Sequence, residues 1–290
     1  MSTKKSRVWL ITGASTGLGR KLAEAVLAHG DRVVATARKK ETVADLEQQY
    51  PDHARAVRLD VTDLAQVKAS VEAAIDAFGH IDVLVNNAGY GLLGAVEEVS
   101  NAQIRQQFET NLFGLLNVTR AVLPLLREQK SGHILNITSV GGQVSFPTFG
   151  MYHGTKYAIE GISESLAKEV APFGIKVTIV EPGAFKTDFA TRSLARAEQI
   201  AAYEPLYEAL LKAFEGGVYG DPARAAQAMI KVVEAEEPPL RLALGADALH
   251  LIRQKFDAEL EEYKRWESVT VATAFENPAD GARDLRAIFE

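Results

Sequence analysis

The chain has 290 residues, 47% of them hydrophobic, enough for one large α/β domain or two smaller ones with a substantial core. Its balance of 32 basic against 38 acidic residues gives a formal charge of -6, which argues against a nucleic-acid surface and against an anionic membrane partner. There is no cysteine, so disulfides, thiolate nucleophiles and Cys-ligated zinc or iron-sulfur sites are excluded; no metal is expected, and the composition suits a reducing cytoplasm.

The chain begins MSTKKSRVWLIT, with basic residues before an apolar run that stops at Gly13, too short for a signal-peptide core. No apolar stretch approaches the span of a bilayer, so a soluble cytoplasmic protein without membrane insertion is expected.

Val8 to Thr12 reads as a first strand and Leu18 to His29 as a first helix. Between them lies TGASTGLG, Thr12 to Gly19, whose glycines permit a tight turn and let backbone N-H groups approach a pyrophosphate at the helix N-terminus. The same residues, Gly13 to Gly17, also fit the GxSxG elbow of a serine hydrolase with Ser15 as nucleophile. That reading needs a late histidine, and only His250 falls late in the chain. Strand two, Arg32 to Ala37, offers no acidic residue for an adenosine 2′-hydroxyl but Arg38, followed by Lys39 and Lys40; a guanidinium there can grip a 2′-phosphate and favours NADP.

A helix is expected over Thr42 to Gln49, a strand over Ala56 to Leu59 closed by Asp60 and Val61, and a helix over Leu64 to Phe78. Strand four, Ile81 to Val85, closes on NNAG, Asn86 to Gly89. Polar residues at two consecutive strand ends are more than turn punctuation requires, because a cofactor would lie across those ends. A long helix over Ala102 to Glu128 follows, then a strand over His133 to Thr138, a helix over Met151 to Ala171 and a strand over Lys176 to Val180.

Strands and helices in alternation imply βαβ crossovers and a parallel sheet covered on both faces, a doubly wound α/β fold in a single domain spanning 1-290. Ala184 to Phe214 is helical in pattern, and 184-220 is expected to form a substrate lid. Leu240 to Leu244 is a candidate final strand and Ala246 to Trp266 an amphipathic helix within a C-terminal extension, 240-290.

Tyr152 and Lys156 are one helical turn apart, an arrangement in which an ammonium favours the phenolate. Eight tyrosines among 32 basic residues make about one such pair expected by chance, so the spacing gains meaning only from its context.

That context is TGASTGLG, Asp60, NNAG, Asn111, Ser139, Tyr152 with Lys156, and PGAFKT at Pro182 to Thr187. Over roughly residues 6 to 190 it resembles the classical short-chain dehydrogenase/reductase family, and the run from Ser139 to Asp188 looks most similar to the branch containing 17β-hydroxysteroid and retinol dehydrogenases. The resemblance implies an NADP(H)-dependent enzyme interconverting an alcohol with a ketone or aldehyde. Tyr152 would be the acid/base, Lys156 would depress its pKa and hold the nicotinamide ribose, Ser139 would hydrogen-bond the substrate oxygen, and Asn111 would order a water joined to Lys156.

Cofactor contacts would come from Gly13, Ser15, Thr16, Gly17, Leu18, Gly19, Arg38, Asp60, Val61, Asn87, Ala88 and Gly89. Thr187 and the backbone near Pro182, with Gly183 and Phe185, would hold the carboxamide. Where the family often has Ala and Ser between Tyr and Lys, this chain has His153, Gly154 and Thr155, a change that keeps the register. Tyr90, Leu92, Gln143, Val144, Phe149 and Phe189 are placed by their positions after strands to line a substrate pocket, mostly apolar, which suggests a lipophilic alcohol or ketone. By the same resemblance the helices over 102-128 and 151-171 would form the face of a homodimer or homotetramer. A non-catalytic, NADP-binding regulator on the same fold is a further alternative.

Overall fold

The first strand, β1 (Val8–Ile11), is buried along its length, and its side chains divide between two apolar clusters: Trp9 and Ile11 in one, Val8 and Leu10 in the other. Successive side chains of a strand point to opposite faces, so this division is what a strand covered on both sides produces. The computed structural model describes residues 6-214 and 219-274.

Six further strands join β1: β2 (Arg32–Ala37), β3 (Ala54–Arg58), β4 (Val83–Asn86), β6 (Gly132–Ile137), β7 (Ile175–Pro182) and β9 (Arg241–Leu244). The order across the sheet is β3-β2-β1-β4-β6-β7-β9, and every pair is parallel. The order reverses between β1 and β4, which opens a crevice at their carboxyl ends. Two three-residue strands, β5 (Gly91–Leu93) and β8 (Leu194–Arg196), pair in a separate small parallel ladder.

One face carries α1 (Gly17–Ala28), whose Leu22 and Val26 share a cluster with Met229 and Ile230 of α9 (Pro222–Glu234). The other face carries α3 (Leu64–Phe78), α5 (Gly114–Gln129) and α6 (Gly150–Val170), through Val67, Val71, Val118, Val122, Leu126 and Leu166. At about 1.5-3 kcal/mol per fully buried side chain, these two layers supply the main drive for folding.

The expected strands and principal helices appear within a few residues, including Leu240 to Leu244 as β9. The helix expected over Thr42 to Gln49 is instead a 3-10 turn, Lys40–Thr42, followed by α2 (Ala44–Gln49). The long helix over Ala102 to Glu128 is interrupted: α4 (Asn101–Phe108) runs into a π-turn, Glu109–Phe113, before α5. The segment expected to form a lid contains the helices α7 (Phe189–Arg192) and α8 (Glu204–Phe214) with the short strand β8 between them. Residues 215-218 of the expected lid and 275-290 of the extension lie outside the described residues. The pattern that forms α9 had no assignment in the sequence.

Two compact units are distinguished, residues 1-249 and 250-290. The sheet and the helices that cover it lie in the first. The described part of the second is mainly the later turns of α10 (Ala246–Val271), with mostly exposed side chains. Among the described residues, no helix is long and apolar enough to cross a membrane.

Candidate active site

The crevice at the switch point is built by joining the ends of β1 and β4. The Thr12 hydroxyl accepts hydrogen bonds from the backbone N-H groups of Asn87 (2.9 Å) and Ala88 (3.0 Å), and the Asn87 amide donates to the carbonyls of Thr12 and Gly13, both at 3.0 Å. Gly13 has φ +66°, and a Cβ there would lie 2.9 Å from the Ala88 Cα, so the turn needs glycine on both counts.

A Cβ at Gly19 would lie 2.6 Å from the Gly13 carbonyl oxygen. Thr16 makes no side-chain cap at the start of α1, and the first turn contains no acidic residue. These features leave an open helix N-terminus above a backbone with no side chains in the way, a donor set that fits a dinucleotide pyrophosphate. Ser15, Thr16, Gly17 and Leu18 are partly buried around it, and Thr187 lies across from Gly17.

Arg38 is exposed just beyond β2. Its charge reaches the Tyr90 phenol and opposes the upward push that burial gives that group. Asp60 accepts from the Thr62 N-H (3.0 Å) and hydroxyl (2.8 Å), closing the turn after β3. Val61 is buried beside Gly114.

The residues expected to handle the proton come from the end of β6, from α6 and from the π-turn. Ser139 follows β6 in extended geometry, and its hydroxyl accepts from the Gly141 N-H at 3.0 Å. Tyr152 and Lys156 are buried on α6, with Lys156 Nζ 5.7 Å from the centre of the Tyr152 ring and donating to the Ile137 carbonyl at 2.8 Å.

Burial pushes the Tyr152 phenol up to about 12, and a hydrogen bond with Ser139 acts in the opposite direction. Burial also lowers Lys156 to about 8, opposed by the charge of Glu160. The expected downward shift of Tyr152 is therefore absent from the protein alone, because desolvation of the phenol outweighs its neighbours.

Asn111 is buried in the π-turn. Its amide donates to the Tyr90 carbonyl (2.9 Å) and the Thr155 hydroxyl (3.2 Å), while its carbonyl accepts from the Tyr90 N-H (3.0 Å). A single π-turn re-aims a side chain within a helix, and here it ties the segment after NNAG to α6. Thr155 completes that tie by donating to the Tyr152 carbonyl at 2.7 Å.

Three aromatic rings surround Tyr152: Phe189 at 5.9 Å, Phe149 at 6.1 Å and His153 at 5.8 Å between centroids. The His153 ring sits between the Gly141 carbonyl (2.8 Å from Nδ1) and the Phe146 N-H (3.0 Å from Nε2), which sets its Nδ1-H tautomer. Val144 is partly buried in the segment that leads to Phe149.

Two residues expected to line the pocket are engaged elsewhere. Leu92 is buried against Val99 and Ala197 under the β5-β8 ladder, because a three-residue strand with a partner needs its own core. Gln143 is buried with its amide committed to Glu160 Oε2 and Glu181 Oε1, each at 3.0 Å, because two buried carboxyl groups need donors. Phe185 packs against the core cluster of α1 and α9. Gly183, beyond Pro182 at the end of β7, donates its N-H to the Leu244 carbonyl at 2.8 Å.

Sequence reasoning did not single out Thr12, Glu160, Glu181 or Arg241, nor Gln107, whose amide donates to the Tyr90 carbonyl at 2.8 Å beside that of Asn111. Only Thr12 carried a signal, as the first residue of the glycine motif.

Comparison with known proteins agrees with this geometry. A sequence model of the short chain dehydrogenase family matches residues 7-198. The oxidoreductase BOA17 of Botryotinia fuckeliana is 40% identical over 277 residues, covering 93% of this chain and 100% of its own. A 3-ketodihydrosphingosine reductase of Bacteroides thetaiotaomicron is 37% identical over 246 residues, covering 82% and 88%.

The crystal structure of a short-chain dehydrogenase from Streptomyces avermitilis superposes with a TM-score of 0.88 at 45% identity, covering 94% of this chain and 100% of that one. Two more distant short-chain dehydrogenase structures, from Burkholderia phymatum with NAD and Burkholderia cenocepacia with NADP, are each 26% identical. Their TM-scores are 0.77 and 0.72, and each alignment covers 90% of this chain and 97% of the other.

Proposed function

The chain belongs to the short-chain dehydrogenase family of NAD(P)-dependent oxidoreductases, and on that premise we propose that it uses NADP(H) to interconvert a lipophilic alcohol and its ketone or aldehyde, with Tyr152 as the acid/base. The observation that carries this reading is the buried Tyr152-Lys156 pair facing Ser139 at the end of the dinucleotide-fitting crevice.

When bound, the nicotinamide supplies the hydride chemistry. The chain's own residues do the rest. Tyr152 holds its proton at neutral pH and would give it to a carbonyl oxygen in reduction and recover it from the alcohol in the reverse direction. Ser139 and the Lys156 ammonium stabilise the negative charge that develops as the proton leaves. Asn111 and Thr155 hold the helix and the segment after NNAG in register. Lys156, in reach of the crevice, is also the group proposed to grip the ribose.

Arg38 supports NADP over NAD, since a guanidinium can pair a 2′-phosphate in two parallel hydrogen bonds. The rings of Phe149 and Phe189 beside Tyr152 support an apolar substrate. So does the printed activity of one relative, a 3-ketodihydrosphingosine reductase. By family resemblance the assembly is a homodimer or homotetramer.

The serine hydrolase reading at Ser15 is not favoured, since the family matched is one of oxidoreductases. The test is Tyr152→Phe: NADPH oxidation with a panel of ketosteroids, retinal, aromatic ketones and carbonyl sugars should disappear while NADPH still binds. Turnover confined to sugars would refute the substrate class, and undiminished turnover in the variant would refute the role of Tyr152.

A further inference from the structure

Behind Lys156, on the side away from Tyr152's aromatic neighbours, lies a cluster of polar groups that the reaction outlined above does not use. Glu160 is one helical turn beyond Lys156 on α6, and Glu181 is next to last in β7; both are buried. Each accepts one hydrogen bond from the Gln143 amide.

Arg241 of β9 approaches both, its Nε 3.4 Å from Glu160 and 3.6 Å from Glu181, while its Nη2 pairs Glu164 on the exposed side of α6 at 3.1 Å. One guanidinium thus faces three carboxyl groups. Glu160 Oε1 is buried without a hydrogen-bond partner of good geometry. The Thr138 hydroxyl, which interacts with Glu160, already donates to the Val180 carbonyl at 2.9 Å. An unpartnered carboxylate oxygen is costly in such a place, whereas a protonated one is not.

We infer that Glu160 and Glu181 form a buried pair sharing one proton, and that Glu160 is a positioning residue for the reaction, its charge holding Lys156 protonated and its side chain bracing the turn that carries Ser139. The bracing is visible at Gly142, where a Cβ would lie 2.9 Å from Glu160 Oε1, and at Gln143, whose amide donates to Glu160 Oε2 at 3.0 Å.

The titratable and charged groups around Glu160 are Lys156 and Glu164 on its own helix, Glu181 on β7 and Arg241 on β9; Thr138 and Gln143 face it from β6's end and the following turn. Burial raises Glu160 to about 7, and the charge of Glu181 pushes the same way. Near neutrality the proton departs, and the charge then left beside Lys156 opposes the loss of the lysine's own proton. The pair thereby shifts the loss of the Lys156 charge to higher pH than burial alone would set.

This inference rests on the reading of Tyr152 and Lys156 given above, and its test separates the two. E160Q retains an acceptor for Gln143 and removes the charge. The ratio of wild-type to variant kcat/KM for carbonyl reduction should rise, by about tenfold, between about pH 6 and pH 9, because without the Glu160 charge Lys156 loses its proton at lower pH.

Infrared spectra of the protein without added dinucleotide should show a protonated-carboxyl band that fades across neutrality and is missing in E160Q. If E160Q does not fold, E181Q serves: with the neighbouring charge gone, the band should fade at lower pH. A constant activity ratio across pH, a band that survives in E160Q, or an unmoved midpoint in E181Q would overturn the inference. Loss of turnover in Tyr152→Phe alongside any of these leaves the reaction standing and removes only Glu160's part in it; retained turnover in Tyr152→Phe removes both.

Discussion

Replacing Thr12 with Val tests whether the joint between β1 and β4 is what shapes the crevice. The substitution keeps the side chain's branched outline but removes an acceptor for two backbone N-H groups, those of Asn87 at 2.9 Å and Ala88 at 3.0 Å. The donated bond to the Val85 carbonyl, at 3.2 Å, is also lost, but that oxygen keeps the Thr12 N-H at 2.9 Å. Two donors are therefore left unpaired at a buried site, which should cost about 2-4 kcal/mol.

For a chain of this size that corresponds to a fall in Tm of roughly 5-15 °C, read by calorimetry. NADPH affinity should weaken as well, because the glycine turn and NNAG are no longer held at one spacing; the Asn87 amide bonds to Thr12 and Gly13 would remain and limit the loss. Thr12→Ser keeps the hydroxyl and should recover most of both. Equal Tm and equal affinity in all three proteins would refute the argument that this hydroxyl sets the geometry.

Arg38→Asp should lower NADPH affinity roughly ten- to hundredfold relative to NADH, the worth of charge-assisted hydrogen bonds to a phosphate; an unchanged ratio in equilibrium titrations would count against NADP. Burial, with the charges of Lys176 and Arg7, depresses buried His133 to about 4 against an ordinary 6.5, so below 6.5 the unfolded chain takes up a proton that the native one refuses. Stability should accordingly fall as pH drops from about 6.5 to 4, by about 3 kcal/mol in all. Urea denaturation at several pH values should show a shallower acid slope in His133→Gln, and identical slopes would contradict the assignment.

What could be read from the sequence follows the range of the interactions involved. Tyr152 and Lys156 share one helix, and Ser139, Asn87 and the glycine turn each close a strand, so local periodicity places them all at one edge. The π-turn at Asn111 could not be read, since one extra residue in a helical turn leaves the apolar pattern nearly intact. Glu160, Glu181 and Arg241 come from α6, β7 and β9, and only the sheet register brings them together. Leu92 and Gln143 were assigned by position after a strand, which predicts where a backbone emerges and not which way its side chain turns.

The β5-β8 ladder stands apart from the seven-stranded sheet whose strand ends carry Ser139 and the glycine turn. Its three rungs belong to a sheet of their own, held to the surroundings by the packing of Leu92 and Ala197 with Val99, Ile104 and Met151, by the Gly94 N-H on the Thr148 carbonyl and the Gln103 amide on the Arg196 carbonyl, and by the contacts of Glu97 and Glu98 with Tyr203, Tyr207 and Ile200. Phe189, just ahead of it in the chain, is its link to Tyr152. If Phe189 lines the substrate pocket as proposed, a library that varies 189-200 but keeps Leu194 and Ala197, which pack inside the ladder, should exchange the accepted carbonyl compound while leaving the seven-stranded frame untouched.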